Sequence, residues 1–324
     1  MDIYVKKAII HQFSPDDTDL YLADKFLNIT PKIEEYLRKK IERVYSDEAR
    51  TGIFEEDNPF LEMISDDLLE TSVAVANRWK EEFIVSENQK TNDLVFIQFS
   101  KEGVDHFAFL RIALRETLTH LGGEVDNPIK LTQNNLPGFG TGADEALVIN
   151  FQSRKYHLIE KRIKYNGTFL NYFSENLLQA QPKISPKKSI KALEKTAQKI
   201  AESFNTDDFQ FQSKVKSAIF NHIEEENKLS PEKLADDLFN DNLTARLSFI
   251  DQVKEAVPEP VTFEEIDASR QLKKFENQKL SLSNGIELIV PNNVYEDAES
   301  VEFILNENGT YSILIKNIED IQSK

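Results

Sequence analysis

The chain has 324 residues, 40% of them hydrophobic and 29% charged, and a formal net charge of −17. That composition supports an ordinary buried core, and 10 glycines with 11 prolines are too few for a collagen-like or low-complexity chain. With no cysteine there is no disulfide framework, thiol nucleophile or thiolate-held zinc to consider.

The length suggests about two domains. Met1 to Lys7 lacks the basic-then-apolar order of a secretory signal, and no apolar run nears the ~18 residues of a membrane helix. A soluble, cytoplasmic protein with no membrane partner is expected. Ile3 to Phe13 reads as a first strand, stopped by the Ser14-Pro15-Asp16-Asp17 turn. Thr30-Pro31 then opens a helix, Thr as N-cap and Pro at the first helical position, with Ile33, Leu37, Ile41 and Val44 as its apolar stripe. A second helix runs from about Glu70 to Phe83. Leu94 to Phe99, Phe107 to Leu114 and Ala146 to Phe151 are near-continuous apolar runs, which predicts strands covered on both faces. Lys101 to Val104 makes a hairpin connection between the first two, and Tyr156 to Ile163 is expected as a neighbouring, partly exposed strand.

Four helices are predicted next. The first starts at Ser185-Pro186, the second is capped by Thr206, the third starts at Ser230-Pro231 and the fourth spans Thr244 to Ala256. Val257 to Pro260 is the best linker candidate. In the last stretch, Asn284-Gly285 and Asn308-Gly309 each separate strictly alternating apolar runs, the signature of a hairpin with a type I′ turn. Both hairpins are expected to join in one antiparallel unit whose exposed edges could pair with a second copy. The fold expected is α+β: an N-terminal mixed sheet with helices over 1–180, a helical segment over 181–257, and C-terminal antiparallel β-hairpins over 258–324.

Motifs for chemistry are sparse. The five histidines (11, 106, 120, 157 and 222) share no metal-ligand spacing. Gly138-Phe139-Gly140-Thr141-Gly142 lacks the Gly-Lys-Ser/Thr ending of a phosphate loop and is followed by Asp144-Glu145, so a flexible loop is expected there. The acidic runs at 55–57, 66–67 and 224–226 have no calcium-loop spacing. No catalytic residue, metal or cofactor is expected.

Charge is the informative signal. Residues 1–149 hold 16 basic and 28 acidic side chains and residues 200–324 hold 12 and 25, whereas residues 150–199 hold 11 basic and only 3 acidic. A local field of this kind, not the global sum, governs contact with a polyanion. Arg154, Lys155, Lys161, Arg162 and Lys164 form one cluster, interleaved with Tyr156, Tyr165, Phe169, Tyr172 and Phe173. Lys187 opens a second, in which Lys188, Lys191, Lys195 and Lys199 fall within ~80° of a helical wheel, opposite Ile190, Leu193, Ala197, Ile200 and Phe204. Such a ridge suits phosphate contact by counterion release; it equally suits neutralising the chain's own acids or keeping a helix soluble. The aromatics read as core.

The chain also resembles a family, the bacterial 37-kDa nucleoid-associated proteins (YejK/NdpA-like). The resemblance rests on Ala8 to Gln12, Arg43-Val44-Tyr45, Gly52-Ile53-Phe54 and Asn166 to Phe173. It continues through Leu272 to Phe275, Gly285 to Leu288 and Asn308 to Ile313. It implies a cytoplasmic protein of the nucleoid that binds DNA, and it brings no catalytic motif. Some members carry arginines around the glycine where this chain has Tyr165-Asn166-Gly167-Thr168; a DNA contact made there in relatives would be missing here or shifted, for instance onto the 188–199 ridge. Two functions are therefore expected in competition. One is non-specific duplex binding through residues 150–199; the other is an acidic protein-interaction adaptor recruited by a DNA-bound nucleoid protein.

Overall fold

The computed structural model describes residues 1–16, 18–87, 89–120, 129–206, 208–263 and 265–322. The chain divides into two units, Met1–Ser185 and Pro186–Lys324.

The first unit is built on one seven-stranded sheet. Its elements in chain order are β1 (Ile3–Ser14), β2 (Asp19–Tyr21), α1 (Pro31–Glu42), β3 (Arg50–Ile53), α2 (Pro59–Glu62), α3 (Leu68–Phe83), β4 (Asn92–Lys101) and β5 (Val104–Ala113). There follow β6 (Arg115–His120), β7 (Ile129–Asn135), β8 (Glu145–Asn150), β9 (Lys155–Ile159), β10 (Ile163–Tyr165), β11 (Thr168–Leu170) and a π-helical turn at Phe173–Leu177. The sheet order is β2-β1-β4-β5-β8-β9-β3, and every pairing in it is antiparallel.

The apolar runs of β4, β5 and β8 are explained by helices on both sides. Alternate residues point to opposite faces. Phe96, Phe107, Phe109, Leu147 and Ile149 join Trp79 and Phe83 of α3 and Phe173 in one core. Val95, Ile97, Ala108, Leu110 and Val148 join Leu37 and Ile41 of α1 and Val44 in the other. Thr30 caps α1 as expected, its Oγ1 accepting from the Ile33 N–H. Glu102 and Gly103, both at positive φ, make the tight β4–β5 turn. One expectation needs correction. The 156–163 strand is neither edge-like nor continuous: β3 pairs with the outer side of β9, burying Tyr156, His157 and Leu158, and the chain breaks before a separate β10–β11 hairpin.

The second unit contains α4 (Pro186–Ser203), α5 (Phe209–Glu226), β12 (Lys228–Leu229), α6 (Pro231–Leu238), α7 (Leu243–Lys254), β13 (Val261–Thr262) and α8 (Glu265–Phe275). It closes with β14 (Asn277–Ser281), β15 (Glu287–Pro291), α9 (Asn292–Tyr295), β16 (Val301–Leu305) and β17 (Tyr311–Ile315). The apolar stripes of α4 to α7 meet in a core that also takes Val257, Val261 and Phe263, so the proline-rich 257–260 stretch lies inside this unit. Asp208, not Thr206, caps α5, its carboxylate accepting from the Phe211 N–H. Sequence periodicity did not single out α8.

Both C-terminal hairpins form, but as two separate two-stranded sheets rather than one unit. Their turns also differ from type I′. Only Gly285 and Gly309 have positive φ; the Gly285 N–H donates to the Leu282 carbonyl and the Gly309 N–H to that of Asn306. That is a type I turn followed by a left-handed glycine, the three-residue hairpin solution. The type I′ pattern occurs instead at Glu102-Gly103 and Asn166-Gly167, where both residues of each pair have positive φ.

Candidate nucleic-acid interface

The basic island of the sequence is divided by the structure. Arg154 to Lys164 belong to the first unit and Lys187 to Lys199 to the second. The two clusters differ in how far their charge is already spent.

In the first cluster most of it is. Arg154, held in the left-handed region at φ 58°, places Nη1 2.9 Å from Glu56. Lys161 Nζ lies 2.6 Å from Asp144 Oδ1. Burial alone would raise the Asp144 carboxyl, but Lys161 and the Ala113 N–H hold it below the usual range. Lys164 pairs with Glu87 at 3.1 Å, and the Gly167 N–H together with Lys164 keeps the Glu87 carboxyl low. The Arg162 guanidinium lies 5.5 Å from the centroid of the Phe169 ring. Lys155 is half-buried at the start of β9. Of the interleaved aromatics, Tyr156, Tyr172 and Phe173 are core residues as expected, whereas Tyr165 and Phe169 are exposed.

The second cluster presents its charge. Lys187, Lys188, Lys191, Lys195 and Lys199 are all exposed on α4, while Ile190, Leu193, Ala197 and Ile200 are buried behind them. Lys188, Lys191 and Lys195 have no ion pair within 4 Å among the described residues, and Lys199 Nζ donates to the neutral Gln252 Oε1 at 3.0 Å. The nearest acid on the helix, Glu194, is half-buried; burial raises its carboxyl, against the pull of Lys216 and Lys191. The ridge ends at Glu202, which accepts from Gln198 at 3.3 Å.

The charge also runs against the helix dipole. α4 has no acid in its first turn, which instead holds Lys187 and Lys188. α1 follows the favourable order, with Glu34 first and Lys39 and Lys40 last.

Three features of the structure lay outside the sequence reading. The glycine loop is pinned by a buried lysine: Lys40 Nζ donates to the carbonyls of Gly138 at 2.9 Å and Thr141 at 2.5 Å, and burial pushes its pKa down to about 8. A loop that turns carbonyls onto an ammonium cannot offer the converging N–H groups of a phosphate cradle. Under α3, Arg111 Nε donates to Glu145 Oε2 at 2.6 Å, Arg111 Nη1 to Asn92 at 2.9 Å, Tyr172 to Glu145, and Trp79 Nε1 to the Tyr172 hydroxyl at 3.0 Å. Between α5 and α6 lies an open cleft of about 520 Å³ whose acids are largely paired: Glu226 with Lys233, Asp236 with Arg246, and Asp237 with His222 at 2.6 Å, with Lys214 also in the lining. Among the described residues no group of three histidines or acids is placed to hold a metal ion. Nor is any helix among them long and apolar enough to cross a membrane.

Fold and surface together define a two-unit α+β protein, acidic overall, with one helix face of uncompensated lysines. The model of the family described as nucleoid-associated protein YejK matches residues 9–321, and the chain belongs to that family. Membership places it in the bacterial nucleoid, and so in the cytoplasm. No curated protein matches the chain.

Proposed function

We propose that the chain binds duplex DNA directly and without sequence preference, through phosphate contacts from Lys188, Lys191, Lys195 and Lys199. The observation that carries this reading is the α4 ridge: exposed lysines with no carboxylate to neutralise them, on a protein whose other basic cluster is largely ion-paired. Two lysines opposed to the helix dipole cost the helix about 0.3–1 kcal/mol each, a cost that a bound phosphate would reverse.

The dimensions fit. From Lys188 to Lys199 the helix rises about 16 Å, and a duplex offers one phosphate per ~3.4 Å of axis on each strand. α4 has no arginine, and lysine is a flexible point charge suited to phosphate rather than to forked reading of guanine. No catalytic role follows from the site.

Four phosphate contacts predict a slope of roughly −3.6 for log K against log salt, or a loss of about 100-fold between 50 and 200 mM. The quadruple Lys→Gln variant at 188, 191, 195 and 199 keeps helix propensity and removes the charge. Duplex affinity and slope should both drop. Unchanged affinity and slope in a folded variant would sink the proposal.

One observation favours a second reading. The net charge of −17 suits an acidic protein-interaction adaptor recruited by a DNA-bound partner. Purified protein that fails to bind duplex even at low salt would select that reading.

A further inference from the structure

The C-terminal β segment lies on the helices of its unit without joining their core. Among the described residues, the apolar core of α4 to α8 takes nothing beyond Phe275. Across 277–315 the buried side chains are Gln278, Val290, Asn292 and Val301, and two of these four are polar. The strands of the segment form two-stranded sheets, which do not make up for the missing apolar burial, because an isolated hairpin is marginal in water.

A polar seam and one aromatic contact hold the segment to α5. In the seam, Gln278 Nε2 donates to Asn292 Oδ1 at 2.7 Å and to the Ser213 carbonyl at 3.2 Å, and Ser217 Oγ donates to the same Asn292 oxygen at 2.8 Å. Gln278 Oε1 is buried and accepts from no group among the described residues. A buried network with one member unmatched holds less firmly than a filled apolar contact, since opening returns that acceptor to water. The aromatic contact is made by Phe209, the first residue of α5, whose ring lies 5.2 Å from that of Phe303 and 5.1 Å from that of Tyr311.

The two hairpins are also tied to each other. α9 follows β15 directly, carries Asn292 of the seam, and sets the Tyr295 ring 5.3 Å from Phe303 of β16. Losing either attachment therefore loosens both hairpins.

We propose that residues 277–315 are a flap that lifts from α5 as one cooperative unit while the core of α4 to α7 stays folded. Regions with little buried apolar area open sub-globally, before the core does. Lifting uncovers Phe209, Ser213 and Ser217, so the flap controls when that face of α5 meets solvent.

The test is native-state amide exchange of the full chain, read by mass spectrometry across a urea series below the unfolding transition. Amides of 277–291 and 301–315 should exchange through one opening, with a common urea slope, at least about 100-fold faster than those of α4 and α7. Phe303→Ala, in the second hairpin, should speed the first hairpin by the same factor as its own, about tenfold or more, and leave α4 and α7 unchanged. Both hairpins fully exchanged in that variant, with α4 and α7 still protected, would support the proposal equally. Ser217→Ala, a milder change on α5, should also speed the two hairpins together. Acceleration confined to one hairpin, equal acceleration of α4 and α7, no acceleration in either variant, or hairpins that exchange only with global unfolding would each overturn the proposal.

Discussion

Replacing Glu145 tests the physics of the first unit at its most exposed point, a charge pair inside the core. Glu145 is fully buried at the start of β8 and Arg111 sits beside it in register on β5. Glu145→Gln keeps the shape but leaves the Arg111 guanidinium without a carboxylate and the Tyr172 hydroxyl with a weaker acceptor. Removing one partner of a buried pair typically costs 3–5 kcal/mol, because the other charge stays behind without water. For a unit of this size that is a fall of about 6–20 °C in Tm. The double variant Arg111→Met/Glu145→Leu removes both charges and should cost less than the single one, since apolar replacement of a buried pair is often near neutral. Urea unfolding followed by tryptophan emission is the assay. Trp79 is the only tryptophan, is fully buried, and donates into this same network. A Glu145→Gln cost below about 1 kcal/mol, or a double variant less stable than the single, would refute the reasoning.

Two further outcomes follow from buried groups. His11 accepts the Ala23 N–H at Nδ1 and donates from Nε2 to Ser72, and burial pushes its pKa from 6.5 down to about 4. The unfolded chain therefore takes up this proton first, so stability is full above pH 6.5 and is lost as pH falls toward 4. At pH 5 the loss is at most about 2 kcal/mol, and His11→Gln should flatten the denaturation midpoint between pH 6.5 and 5. An equally steep pH dependence in that variant would count against it. Gly52 pairs with Tyr156, and a Cβ there would fall within contact distance of the buried Tyr156 ring. Gly52→Ala should cost about 1–3 kcal/mol in chemical denaturation; a neutral result would mean the ring can move aside.

Local signals in the sequence located most of the framework. Thr30-Pro31 and Ser230-Pro231 marked helix starts because a capping oxygen and a fixed proline φ act within a few residues. The apolar runs of β4, β5 and β8 announced a sheet covered on both faces, since no surface strand could carry them. What escaped was set by distant parts of the chain. The Asn-Gly pairs signalled hairpins but not the turn type, which register and bulge geometry decide. Lys40 looks like any surface lysine of a helix until the 137–141 carbonyls fold onto it from about a hundred residues away. Glu145 reads as an acid after a glycine loop, and only Arg111 across the strand explains its burial. For the candidate interface, the wheel of α4 showed the lysine ridge correctly, because a helix face is a local property. Pairing of the 154–164 cluster with Glu56, Asp144 and Glu87 needed the fold.

Lysine footprinting of the wild-type protein addresses the ridge most directly. The protein is exposed to an amine-acetylating reagent with and without a mixed-sequence duplex at 50 mM salt, and modification is read residue by residue by mass spectrometry. Lys188, Lys191 and Lys195 should be protected by the duplex and should lose that protection at 200 mM salt, while Lys161 and Lys164, engaged with Asp144 and Glu87, react equally in both samples. Bound duplex with no protection of α4, or protection confined to Lys161 and Lys164, would contradict a role for the ridge.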